Sequence, residues 1–138
     1  MRGKPIQGLT PVTVVMAANA DVADTYAFPG PGEWELVGVS EVHDVAGTGG
    51  ACTLDVKKCA SGTSIASGTS MLASTFDLES TADTVVKKTV SNGGVHGTES
   101  TRIITDGQVI GIDITGTTTS VAGLAVTLWL KPLSRPVF

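Results

Sequence analysis

Apolar and polar residues alternate along much of this chain, most regularly from Val109 to Leu130, VIGIDITGTTTSVAGLAVTLWL. Ile110, Ile112 and Ile114 share one phase against Val109, Gly111, Asp113 and Thr115; Leu124, Val126, Leu128 and Leu130 share one against Gly123, Ala125, Thr127 and Trp129. A period of two residues is that of a half-buried strand. The glycine and small polar residues at 116–120 suit a turn, so the stretch predicts an antiparallel hairpin with one apolar face. Such a hairpin is not stable alone, and the rest of the chain must cover that face. Asp113 falls on the phase directed to solvent.

The same reading extends upstream. Residues 11–17, PVTVVMA, form a short strand, 19–26 are small and polar, and Phe28-Pro29-Gly30-Pro31-Gly32 is the strongest turn signal. Over 33–45 the alternation slips near Gly38, which predicts a bulge or a corner. Residues 51–58 alternate cleanly, with Leu54 and Val56 inward and Thr53, Asp55 and Lys57 on a wet side. A Ser/Thr/Gly-rich loop follows, with one helical turn expected around Met71 and Leu72, then short strands at 74–78, 84–90 and 101–105 and an Asp106-Gly107 turn. About eight strands without a long amphipathic helix predict an all-β fold, an antiparallel β-sandwich or jelly roll. The expected organisation is one domain over 11–131 with extended arms at 1–10 and 132–138, as suits a chain of 138 residues.

Composition narrows the function classes. Aromatic residues make up only 4%, so Val, Ile, Leu and Ala must fill the core, and a deep aromatic sugar-binding cleft is not expected. A net charge of -4 repels a phosphate backbone, which argues against nucleic acid. No run approaches the roughly 18 apolar residues of a membrane helix. Pro5, Gly8 and Pro11 interrupt the beginning too often for a signal peptide, so the chain is expected to stay in the cytoplasm of the cell that makes it. The doublets Lys57-Lys58 and Lys87-Lys88 read as edge or surface residues. Cys52 and Cys59, on one strand, would point to opposite faces about 23 Å apart, which excludes a disulfide between them unless the strand breaks. Cys52 reads as a small core hydrophobe and Cys59 as a candidate free thiol.

Candidate chemistry is sparse. Gly62-Thr63-Ser64-Ile65-Ala66 has the outline of a nucleophile elbow but lacks the strand and helix that motif requires. His43-Asp44 and His96 with Glu99 have no metal-ligand or triad spacing and read as exposed loop and strand-end residues. No catalytic residue, metal ligand or cofactor site is expected. Trp129 is the informative outlier: it shares its phase with Thr127 and Lys131, so either both faces of its sheet are covered or a large aromatic surface faces a partner.

The segments ACTLDVKKCASGTSIASGTSMLASTFDLESTADTVVKKTV, GQVIGIDITGT and AVTLWLKP together resemble the small jelly-roll virion proteins of tailed bacteriophages, of decoration (cement) or head-spike type. The similarity spans roughly Gly32 to Pro132 and is one of strand and turn pattern. It implies a structural role without cofactor: a homotrimer on the capsid exterior, made in the host cytoplasm, that binds the major capsid protein and joins neighbouring capsomers. On that reading Arg2, Lys4, Ile6 and Leu9 of the first arm are expected to touch the capsid, and Trp129 with Thr127 to pack near the trimer axis. Two other readings stand beside it: a head-fibre or tail-associated adaptor of the virion, and a carbohydrate-binding module using Trp34 or Trp129. An enzyme dependent on His43 or His96 comes third.

Overall fold

Residues 8–134, which the computed structural model describes, contain ten strands. In chain order they are β1 (Thr10–Met16), β2 (Thr25–Phe28), β3 (Trp34–Val42), β4 (Cys52–Cys59), β5 (Thr69–Ser70), β6 (Phe76–Asp77), β7 (Val86–Thr89), β8 (Ile103–Ile104), β9 (Val109–Gly116) and β10 (Leu124–Pro132). One four-residue helix, α1 (Glu99–Arg102), and two 3-10 turns at Asn19–Asp21 and Ile65–Ser67 complete the regular structure. The first sheet runs β1-β10-β3-β7, with β8 also on β3; the second runs β2-β9-β4-β5, with β6 also on β4. Every pairing is antiparallel, and the protein is a jelly-roll-like β-sandwich. The two strands beyond the expected eight are β2 and the two-residue β5, while β6 and β8 are shorter than the strands expected at 74–78 and 101–105.

The expected hairpin at 109–130 does not form. β9 lies between β2 and β4 in the second sheet, whereas β10 lies between β1 and β3 in the first. Residues 117–123 carry the chain from one layer to the other and are anchored on the way: Thr117 N–H donates to Ala51 O (2.9 Å), and Asn19 Nδ2 donates to Thr118 O and Val121 O. Val121 fills the core beneath them. Gly116 makes the exit possible, because at φ +101° a Cβ there would sit 2.0 Å from Ala51 O. Both strands carry a full apolar face, and placing them in opposite layers lets each face cover the other.

The slip near Gly38 is a β-bulge. Trp129 pairs with Gly38 and Leu130 with Leu36, leaving Val37 as the extra residue. The core between the layers is aliphatic as composition requires: Leu36, Leu54, Ile110, Ile112, Leu124 and Leu128 are fully buried, and Phe76 is the one aromatic among the largest buried side chains. Each such aliphatic side chain contributes about 1.5–3 kcal/mol relative to exposure.

Elsewhere local pattern misplaced elements. The polar stretch after Asn19 contains β2, and the helical turn lies at Ile65–Ser67 while Met71 and Leu72 are buried in the core. The strand expected at 101–105 is α1 followed by the short β8. The first arm joins β1 at Thr10, and β10 continues to Pro132, after which Leu133 N–H and Ser134 Oγ both bond Glu33.

Candidate functional site

The two outer faces of the sandwich differ. That of the second sheet is sealed by residues 60–70. Ile65 sits over Gly111, where a Cβ would come within 2.8 Å of its side chain, and Cys59 lies under Gly68. Asp113, expected in solvent, is buried because this loop covers it, and Lys57 Nζ reaches its Oδ2 at 2.7 Å and Ala66 O at 3.0 Å. Asp55 lies directly opposite Asp113 in register and accepts from Ser70 Oγ and Val56 N–H, both at 2.8 Å. Burial raises the Asp55 pKa, with Asp113 adding to it, against the pull of Ser70, Val56 and Lys57. Each polar group here is spent on a neighbour within the fold.

Lys57 and Lys58 are therefore not edge residues. β4 is flanked by β9 on one side and by β5 and β6 on the other, and Lys58 Nζ donates to Ser100 O and Ile103 O. Lys87 and Lys88 do lie on an edge strand, β7. Both cysteines are free and buried, and burial raises both thiol pKa values, so neither is a reactive thiolate.

The outer face of the first sheet carries Trp129, Thr127 and Ala125 on β10, flanked by Pro11, Thr13 and Val15 on β1 and by Gly38, Ser40 and Val42 on β3. Trp129 is 37% exposed and Val15 66%. The indole borders Gly38, and Thr127 Oγ1 bonds Thr13 Oγ1 at 2.9 Å. Among the described residues this face is made of small, hydroxyl and apolar side chains, apart from Lys87 on β7 and the register partners Lys131 and Glu35 beyond Trp129.

Two buried charged pairs were not legible as such. His43, expected on the surface, is only 1% exposed: its Nδ1 lies 2.5 Å from Glu41 Oε1, and its Nε2 donates to Ser80 O at 2.9 Å. The available signal is the phase of β3, since Val39, Glu41 and His43 all fall on its core side after the bulge. Among the described residues Glu41 Oε2 has no hydrogen-bond partner. Burial raises the Glu41 pKa against the opposing effect of His43. Burial disfavours the His43 cation, but the bonds to Glu41 and Ser80 and the charges of Glu41 and Asp77 outweigh it, so its pKa is raised. The second pair joins Arg102 Nε and Nη2 to Glu35 Oε2 at 3.1 and 3.0 Å, while Arg102 Nη1 donates to His96 O and Gly97 O. His96 is thus tied to Arg102 through its backbone and not brought together with His43. Among the described residues no three His, Cys, Asp or Glu are placed to hold a metal ion. Ser64 is an exposed loop residue bonded to Ser67.

Of the four residues expected to touch a capsid, Arg2, Lys4 and Ile6 lie outside the described residues, and Leu9 is exposed at 45%. Both ends of the described chain leave the sandwich at one end, where a Cβ on Gly8 would lie 3.6 Å from the Pro132 ring. A cleft of about 620 Å³ opens among the loops there, lined by Tyr26, Pro29, Pro31, Thr63, Asp106 and Gln108 among others. Trp34, a candidate sugar platform, instead packs edge-to-face on Phe28 at 5.1 Å and donates its Nε1–H to Pro31 O.

The fold defines the chain as an all-β sandwich protein. No family model, curated protein or solved structure matches it.

Proposed function

We propose that the chain is a structural virion protein, a decoration (cement) protein that binds the outside of a tailed-phage capsid as a trimer and stabilises the shell. The observation that carries this reading is the contrast between the two outer faces. One is sealed by the chain itself, while the other leaves Trp129, Thr127 and Val15 open to another subunit. A rigid sandwich with a self-associating face and both ends of its described chain at one end suits a protein whose weak single contacts are multiplied by valency. Sedimentation is expected to give a trimer that Trp129→Lys dissociates, and deleting residues 1–9 is expected to lower occupancy on purified shells at least tenfold. A monomer at high concentration refutes the trimer, and undiminished occupancy refutes the arm.

A saccharide-binding role is favoured by one feature, the cleft at the loop end. The Tyr26 ring is 54% exposed there, and Asp106 and Gln108 stand beside it. Glycan-array binding that Tyr26→Ala abolishes and Trp129→Lys leaves intact is the expected result on this reading; an array without signal rejects it.

A further inference from the structure

A sheet that does not close ends in strands whose outward N–H and C=O groups are free to pair with another chain, and sequences guard such edges with charge, shortness or irregularity. Three of the four edges here are guarded. β7 carries Lys87 and Lys88 and shares its side of the first sheet with the two-residue β8. β5 and β6, on one side of the second sheet, have two residues each; β2, on the other, has four and loses register with β9 between Tyr26 and Phe28.

β1 has none of these devices. Its seven residues stay in register with β10 along their whole length, and the segment from Leu9 to Ala20, LTPVTVVMAANA, contains no charged side chain. Pro11 does not block the open side either. Gly123 N–H donates to Ala17 O at 2.9 Å, which sets the phase of the ladder: Val15, Thr13 and Pro11, in step with Ala17, spend their backbone groups on β10. Thr10, Val12, Val14 and Met16 direct theirs away from β10, and each of them has an N–H; Met16 is buried, so the open stretch of the edge is Thr10 to Val14.

We propose that β1 pairs antiparallel with β1 of a second copy of this chain, about a two-fold axis at Thr13, so that the two first sheets become one continuous sheet. The occupant follows from charge. Two-fold pairing sets a strand against itself, Val12 opposite the partner's Val14. An uncharged strand meets no like charge in that arrangement, whereas β7 would bring lysine to lysine. Val12 and Val14 of each copy complete roughly four backbone hydrogen bonds. On the outer face Val15, the most exposed large apolar side chain of the described residues, comes opposite the partner's Pro11. The edge contact leaves the face bearing Trp129 open, so it goes beyond the trimer reading and does not depend on it.

Amide hydrogen exchange on the full chain tests this. The amides of Val12 and Val14 point outward, and those of Thr13 and Val15 bond β10, so all four are expected to be protected in the wild type. Thr13→Lys puts a charge against its own copy at the axis while keeping the sandwich. It is expected to speed exchange at Val12 and Val14 at least tenfold, leave Thr13 (now lysine) and Val15 slow, and lower the sedimenting mass at high concentration. Trp129→Lys is expected to leave Val12 and Val14 protected, which separates failure of the trimer from failure of this contact. Fast exchange at Val12 and Val14 in the wild type at high concentration overturns the proposal. So does protection that appears only when capsid shells are added, since the occupant is then a shell protein.

Discussion

Replacing Arg102 by methionine is expected to destabilise the protein by about 3–5 kcal/mol, the usual cost of breaking one side of a buried ion pair. Glu35 and Arg102 are each 8% exposed, and the guanidinium is the only partner of the Glu35 carboxylate among the described residues. Its third nitrogen ties His96 O and Gly97 O to the start of β3, so the substitution also releases the loop before α1. Urea unfolding of the single variant, compared with Glu35→Leu/Arg102→Met, separates the two contributions. The double variant is expected to recover most of the loss, because it leaves no unpaired buried charge. A single variant within 1 kcal/mol of wild type would show that the pair is not shielded from water.

Removing His43 is expected to have a comparable effect, about 3–5 kcal/mol for His43→Leu, since it strands a Glu41 carboxylate that already has one unpaired oxygen. The pair also makes stability depend on pH. Because Ser80 O can only accept, His43 Nε2 must carry a proton, and the 2.5 Å contact between Nδ1 and Glu41 Oε1 must hold one more. The unfolded chain gives up that shared proton near the ordinary histidine value of about 6.5, while the folded pair, with both pKa values raised, keeps it to higher pH. Its contribution is therefore complete below about pH 6.5 and is lost as pH rises through the folded value. Thermal or urea unfolding between pH 6 and 8 is expected to show stability falling by up to about 1.4 kcal/mol per pH unit. Asp55, whose raised pKa acts in the acid range, and the cysteines, which act above this window, contribute little there. In Glu41→Leu/His43→Leu the slope should vanish; an unchanged slope would place its origin elsewhere.

These two pairs mark the limit of what alternation reveals. On β4 the phases were readable from sequence, Leu54 and Val56 inward and Asp55 and Lys57 outward, because side-chain direction depends only on the strand's own pleat. The same holds for the bulge at Val37, for the Asp106-Gly107 turn with Gly107 at φ +87°, and for the lysines on β7. Whether an outward residue is wet depends on what crosses over it. Asp113 is outward and still buried, because the 60–70 loop returns across its sheet. His43 is buried for a complementary reason: it lies just past the end of β3 on the core phase it shares with Glu41, and the segment carrying Ser80 comes back to close over it.

Strand faces, the aliphatic composition of the core and the all-β class were set by local order along the chain, since a two-residue period and the scarcity of aromatic side chains act residue by residue. Strand partners were not. Adjacent β9 and β10 went to opposite layers because each apolar face is buried better by the other than by solvent, and closing that pairing depends on contacts with Ala51 and Asn19, far away in sequence. Tertiary structure alone decided which outer face stayed open, because only the completed fold places residues 60–70 over one sheet and nothing comparable, among the described residues, over Trp129.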